Sequence, residues 1–150
     1  MQETKIRDYL SENRIRPMNK RVKIMNYLVS KRNHPTADMI YLKLANEIAG
    51  LSKTTVYNAL NLFVQEGIAR ALHIDGNELR YDADISLHGH FKCNECGEVF
   101  DFSLNTEIVQ DLRLKSFVIN EYQFSIKGIC AICIKGSPQN PNILKETIGL

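Results

Sequence analysis

No stretch of this sequence approaches the roughly 20 consecutive apolar residues that a membrane-spanning helix needs. The N-terminus opens an amphipathic pattern and shows no apolar core of a secretory signal peptide. Four cysteines in a secreted protein could form two disulfides, but without a signal segment we expect reduced thiols or metal ligands. These absences predict a soluble protein of the cytoplasm, and 150 residues suffice for one ordinary domain or two small ones.

Motifs of common catalytic sites are missing as well. The chain contains no G-x-S-x-G nucleophile elbow, no H-E-x-x-H and no phosphate-binding glycine loop. We therefore predict that the protein is not an enzyme. Two alternatives stay open at this point: a hydrolase that uses a His/Asp cluster on a catalytic metal, and a zinc-ribbon scaffold that binds only protein.

Charge is present but unevenly distributed. Residues 1–80 carry 13 basic and 8 acidic side chains, whereas residues 81–150 carry 6 and 9. The first part therefore has a net charge of +5 and the second a net charge of −3, which sum to the overall +2. A basic N-terminal half is what a surface facing phosphates requires. A solvated positive face would give the same pattern, so charge alone does not decide between them.

Hydrophobic residues recur at helical spacing four times in the first 67 residues. Capping residues and glycines mark where these segments begin and end. The predicted helices are 2–13, 19–31 with Asn19 as its N-cap, a third capped by Thr36 and ended by Gly50, and a fourth capped by Ser52 and ended by Gly67.

The fourth helix has two chemically distinct faces. The apolar stripe on its core side is Val56, Ala59, Leu60 and Phe63. The opposite face holds side chains that can bond base edges or phosphates, namely Thr54, Tyr57, Asn58 and Asn61. A hairpin follows, with strands over 68–74 and 78–82 joined at Asp75-Gly76. This order predicts an N-terminal winged helix-turn-helix, with an unrelated small α+β domain as the alternative.

The remaining sequence predicts a second, smaller α/β domain, so that the whole chain is α+β. The predicted divisions are 1–83 for the DNA-binding domain, 84–88 for a hinge, 89–135 for the second domain and 136–150 for a C-terminal extension. The elements expected in the second domain are strands over 91–93 and 98–102, a helix at about 105–115 and a strand-like segment over 117–126.

Two cysteine pairs carry the strongest chemical signal. Cys93-x-x-Cys96 and Cys130-x-x-Cys133 are separated by 33 residues and leave no cysteine over. Each pair can place two thiolates on one tetrahedral ion, which predicts a structural Zn²⁺ site closed to catalysis. A redox-active dithiol is the main rival, although neither pair opens a helix after a buried strand.

A second group of metal-binding residue types surrounds the first cysteine pair. His88 and His90 are spaced to share one face of a strand, with Asp82, Asp84 and Asp101 nearby in sequence and His34 in a distant turn. Imidazole and carboxylate ligands suit Fe²⁺, Mn²⁺ or Zn²⁺. Spacing alone does not distinguish such a site from surface polar residues.

Over about residues 5–135 the chain resembles the ferric uptake regulator (Fur) superfamily. The segments that carry the resemblance are His34-Pro-Thr-Ala-Asp38, Ser52-Lys-Thr-Thr-Val-Tyr-Asn-Ala-Leu60, Arg80-Tyr-Asp82, the run from His88 to Gly97, and Cys130-x-x-Cys133. The resemblance implies a homodimeric repressor that binds double-stranded operator DNA when a regulatory metal occupies a site between its two domains. The implied DNA contacts lie on the fourth helix, at Lys53, Thr54, Thr55, Tyr57, Asn58 and Asn61.

Within that superfamily the sequence is most similar to the peroxide-sensing PerR branch. The positions that match its regulatory ligands are His34, Asp82, His88, His90 and Asp101, and all five residue types agree. Asp101 and Asn58 stand where iron-uptake regulators usually carry glutamate and arginine. The stretch 120–124 lacks a histidine that family members often carry, which argues against a further metal site.

The PerR resemblance implies a mechanism as well. Fe²⁺ at the regulatory site reacts with hydrogen peroxide, a ligand histidine gains one oxygen, and the weakened site loses metal and releases DNA. The matching oxidation-sensitive residues are His34 and His88. The alternative is an iron- or manganese-sufficiency sensor with the same fold, with Fe²⁺ or Mn²⁺ as the regulatory ion in either case.

Overall fold

The structure is a computed structural model, and it describes residues 3–110 and 113–136. The chain divides into two compact units, with the division between Ser86 and Leu87. The expected C-terminal extension lies outside the described residues, except for Gly136 at the end of the last helix. Within the described part of the chain, no helix is long and apolar enough to cross a bilayer.

The first unit contains four helices followed by a two-stranded hairpin. The elements are α1 Glu3–Glu12, α2 Asn19–Lys31, α3 Ala37–Leu44, α4 Lys53–Gln65, β1 Arg70–Asp75 and β2 Glu78–Asp82. Their apolar faces form one core, in which Leu10, Met25, Ile40 and Phe63 are fully buried. Burying these faces supplies most of the stability of helices this short.

Two of the predicted helix caps are confirmed. The Thr36 side chain accepts a hydrogen bond from the Met39 backbone N–H, and Ser52 accepts one from Thr55. The prediction that Asn19 caps α2 is wrong. Met18 holds the N-cap position in an extended conformation, and Asn19 is already the first helical residue. A residue with helical backbone angles no longer has the geometry of a cap.

The third helix ends earlier than expected. It stops at Leu44, and the chain then makes tight turns through 45–50, where Gly50 takes a left-handed φ of +67°. Ile48 still packs in the core despite lying outside the helix. The apolar spacing therefore identified the buried residues correctly, whereas it did not reveal where the regular helix stops.

The hairpin after α4 is confirmed. Asp75 pairs with Glu78, and the two-residue turn between them places Gly76 at a φ of +65°. Leu72 and Ile74 of β1 are buried. A helical core with a hairpin packed after its last helix is a winged helix, as the sequence predicted.

The second unit is built around a three-stranded sheet. Its elements are β3 His88–Cys93, β4 Val99–Ser103, α5 Thr106–Gln110, β5 Phe124–Gly128 and α6 Ala131–Gly136. β3 is central, antiparallel to β4 and parallel to β5. The expected strand over 117–126 is wrong over 117–123, since strand structure begins only at Phe124. Phe117 and Val118 are exposed, so their apolar character does not mark a buried strand face.

Candidate metal centres and reading helix

The four cysteines of the second unit converge on one point. Cys93 ends β3, Cys96 follows in a turn closed by Gly97, and Cys130 and Cys133 lie at the start of α6. All four sulfur atoms lie within 4.8 Å of one another, and none forms a disulfide. The sequence pairing therefore corresponds to one four-sulfur cluster.

The cluster has the chemistry of a tetrahedral thiolate site. The sulfurs of Cys96 and Cys130 are 3.9 Å apart, close to the about 3.8 Å that a tetrahedral ion with 2.3 Å bonds to sulfur would require. Burial opposes ionisation of Cys93, but hydrogen bonds from the backbone N–H groups of Cys130, Cys96 and Glu95 outweigh it and lower the pKa of Cys93 to about 6. The hydrogen bond with Cys130 is the main cause that raises the pKa of Cys133 to about 12. Four sulfurs this close favour full ionisation only around a cation, so the residues fit a metal ion.

In the first unit, His34 and Asp82 form a buried pair. His34 lies in the turn between α2 and α3, and Asp82 ends β2. The His34 Nε2 atom is 3.5 Å from Asp82 Oδ2, and the two side chains are only 3% and 7% exposed. Two such atoms bound to one first-row ion at about 2.1 Å would be about 3.4 Å apart in tetrahedral geometry. The pair therefore fits two ligands of a divalent ion.

The backbone after β2 distinguishes Asp82 from its neighbour Asp84. Asp82 Oδ1 accepts the Asp84 backbone N–H at 2.8 Å, which fixes the carboxylate that faces His34. Asp84 Oδ1 instead accepts both the backbone N–H and the hydroxyl of Ser86. Of the two aspartates at the end of the first unit, the structure thus gives Asp84 a role in the local turn and brings Asp82 to the histidine.

In the second unit, His88, His90 and Asp101 form a three-residue group. The two histidines alternate along β3 and share a face, and Asp101 lies opposite His90 on β4. The Nε2 atoms of the histidines are 2.9 Å apart, and they lie 3.6 and 3.5 Å from Asp101 Oδ1. These separations also fit ligands of one first-row divalent ion.

The face of α4 away from the core carries the predicted DNA contacts. Tyr57, Asn58, Asn61 and Thr54 are exposed there. Lys53 is exposed as well, but it pairs with Asp38 at 3.3 Å. Thr55 is half-buried and its hydroxyl bonds to Ser52, so it also belongs to the helix cap.

Two residues next to the candidate ligands make contacts that the sequence did not predict. Arg80 bonds the carbonyl of His34 from 46 positions away, a contact that no local pattern reveals. Gly89 separates the two histidines where the Phe102 ring crosses β3. The segments Arg80-Tyr-Asp82 and His88-Gly-His90 drew attention to both positions but not to these roles.

Comparison with known proteins extends over both units. The sequence model of the ferric uptake regulator family matches residues 12–128. The peroxide-responsive repressor PerR of Staphylococcus epidermidis is 34% identical over an alignment of 113 positions, which covers 73% of this chain and 75% of that protein. Among solved structures, the ferric uptake regulator of Pseudomonas aeruginosa with manganese has 25% identity and a TM-score of 0.66, covering 87% of this chain and 99% of that chain.

A second solved structure comes from the peroxide-sensing branch. PerR of Streptococcus pyogenes, whose structure was described as a basis for peroxide sensing and gene regulation, is 27% identical with a TM-score of 0.50. That match covers 87% of this chain and 92% of that chain. The family match itself runs from the end of α1 to the end of β5. The chain therefore belongs to the ferric uptake regulator family, whose members are metal-dependent transcriptional regulators and not enzymes.

Proposed function

We propose that this protein is a homodimeric repressor that senses hydrogen peroxide through a regulatory Fe²⁺ and releases operator DNA when a ligand histidine is oxidised. The proposed ligands are His34, Asp82, His88, His90 and Asp101. The observation that carries the proposal is that each unit presents some of these residues with donor atoms 2.9 to 3.6 Å apart. The identity to peroxide-responsive repressors supports the same function.

The five proposed ligand residues come from both units. His34 and Asp82 belong to the winged helix, and the other three belong to the sheet of the second unit. An ion shared by both sets would fix the angle between the units. In a dimer that angle sets the distance between two reading helices, which must meet half-sites about one helical turn apart. Metal occupancy would then shift the population towards the DNA-binding arrangement.

Bound Fe²⁺ would supply the electron-transfer chemistry that activates hydrogen peroxide. An imidazole carbon of His34 or His88 gains one oxygen atom, and the second peroxide oxygen leaves as water. The oxidised ring is a poorer donor, which weakens the site and favours DNA release. Both rings are mostly shielded from solvent, with side-chain exposures of 3% and 9%.

The four-cysteine cluster is proposed to hold a structural Zn²⁺ rather than the sensing metal. Its four positions are all sulfur, which leaves no position for peroxide. Reduced thiols also agree with the expected location in the cytoplasm.

A homodimer is supported by the apolar surface of the second unit. The outer edge of β5 has no strand partner among the described residues, and Ile126 is exposed along it. Other exposed apolar side chains of this unit are Phe100, Ile108, Leu114, Phe117, Val118, Ile129 and Ile132. An exposed strand edge with apolar neighbours is a surface that proteins normally cover.

A sensor of iron or manganese sufficiency is the second candidate. The ferric uptake regulator of Pseudomonas aeruginosa has a higher TM-score than PerR of Streptococcus pyogenes, which favours it. Operator binding discriminates between the two functions. The Fe²⁺ form should lose affinity after hydrogen peroxide, whereas the Mn²⁺ form should keep it. Equal resistance of both forms would leave the sufficiency sensor as the function.

A further inference from the structure

Arg80 joins the β1–β2 hairpin, the wing of the winged helix, to the turn that carries His34. Its guanidinium donates to the Asp75 carboxylate through Nε and to the His34 backbone carbonyl at 3.1 Å through a terminal nitrogen. The side chains of Arg80 and Asp75 are only 14% and 11% exposed, so solvent screens this ion pair weakly. Arg80 is thus held at the wing and bonds the backbone of a proposed metal ligand.

The His34 backbone needs such support. Its φ is +46°, in the left-handed region, which only a few per cent of residues other than glycine adopt. Strand β2 bonds the same turn through its backbone, because the Tyr81 N–H donates to the Pro35 carbonyl at 2.9 Å. Thr36 also forms an isolated antiparallel β-bridge with Arg80. The conformation of the turn is therefore held by β2, and among these contacts the Arg80 side chain is the one that bonds the backbone of His34 itself.

We propose that Arg80 is a positioning residue for the metal site. Held by Asp75, it fixes the His34 carbonyl so that the imidazole already faces Asp82 before an ion binds. This inference rests on the proposed function, in which His34 and Asp82 are ligands. Lysine cannot replace Arg80, because a single ammonium lacks the planar fork that reaches both acceptors at once.

The test measures binding of Mn²⁺ alone to the full-length, zinc-containing protein. Arg80→Lys should weaken Mn²⁺ about 10- to 100-fold, the usual effect of removing a partner that orients a ligand. Asp75→Asn should cause a smaller loss in the same direction, because the amide keeps a contact but loses the charge. Arg7→Lys is the matched control, since Arg7 also donates to a backbone carbonyl, that of Pro17, in the same unit. It should bind Mn²⁺ normally.

Two measurements separate positioning from general loss of structure. Before Mn²⁺ is added, both variants should keep the native zinc content and the native circular dichroism spectrum, even if loss of the buried ion pair lowers their melting temperature. Asp75→Asn nearly preserves the shape of the side chain, so it remains informative if Arg80→Lys folds poorly. In a His34→Ala background, Arg80→Lys should cost no further Mn²⁺ affinity, because its effect passes through His34.

The outcomes also separate this inference from the proposed function. If His34→Ala weakens Mn²⁺ binding while Arg80→Lys and Asp75→Asn do not, only the positioning role is overturned. An equal loss from Arg80→Lys with and without His34 would overturn it too. If His34→Ala itself leaves Mn²⁺ affinity unchanged, the proposed ligand set is wrong and the positioning role fails with it.

Discussion

The phenyl ring of Phe102 lies directly over Gly89, so that a Cβ added at Gly89 would come within 2.2 Å of the ring. The two residues are cross-strand partners on β3 and β4. Gly89 stands between His88 and His90, and the glycine therefore lets an aromatic ring cover the strand that presents both histidines.

Gly89→Ala should destabilise the second unit by about 1–3 kcal/mol, the usual cost of overpacking a tight contact. The measurement is the free energy of unfolding from denaturant titration. Phe102→Leu in the same chain should recover part of the loss, because the smaller side chain leaves room for the methyl group. An alanine variant as stable as the native protein would mean that the ring moves aside at no cost.

Cys93→Ser should remove zinc from the protein. Cys93 is fully buried, and metal binding in small thiolate sites is coupled to folding. Zinc content should fall from about one ion per chain to nearly none, and the dimer should be lost with it. Asn94→Ser, an exposed change in the same turn, should keep both. Full zinc content in the Cys93 variant would exclude Cys93 as a ligand.

If the Asn58 amide makes a bidentate contact with one base, Asn58→Ala should reduce the discrimination between bases at that operator position by about 1–3 kcal/mol. Asn58→Arg should shift preference towards an operator of the iron-uptake type. Asn46→Ala, an exposed asparagine outside α4, is the control and should bind like the native protein. The measurement is affinity for a set of operators with single base changes. An unchanged profile would remove Asn58 from the reading residues.

Much of the fold could be predicted because its signals are local. The helical spacing around Phe63, the caps at Thr36 and Ser52, and the Asp75-Gly76 turn all depend on neighbours within a few positions. The end of α3 at Leu44 could not be predicted, because Ile48 continues the apolar spacing after the helix has stopped.

In the candidate sites, too, local signals could be predicted and contacts between distant residues could not. The cysteine site could be predicted from spacing, because the two C-x-x-C pairs use all four cysteines and together supply the four ligands of one tetrahedral ion. Spacing could not separate Asp82 from Asp84, and the structure does so through the Ser86 bonds to Asp84. The role of Arg80 could not be predicted because the His34 carbonyl that it bonds lies 46 positions away along the chain.

Asp101→Glu should keep metal-dependent operator binding and lose most of the response to peroxide. Asp101 Oδ1 lies 3.5 and 3.6 Å from the two β3 histidines, and a longer carboxylate would change how closely its oxygens approach a shared ion. The measurement compares operator affinity of the Fe²⁺ forms of native and variant protein across a peroxide series. A variant that responds like the native protein would show that aspartate at this position does not set peroxide sensitivity.

Peptide mass spectrometry of the metal-loaded protein, before and after hydrogen peroxide, tests the peroxide-sensing function most directly. The Fe²⁺ form should gain the mass of one oxygen on the peptides that contain His34 or His88, in step with loss of operator binding. The Mn²⁺ form should gain none under the same treatment. An Fe²⁺ protein that shows no histidine oxidation and keeps its operator affinity would contradict peroxide sensing.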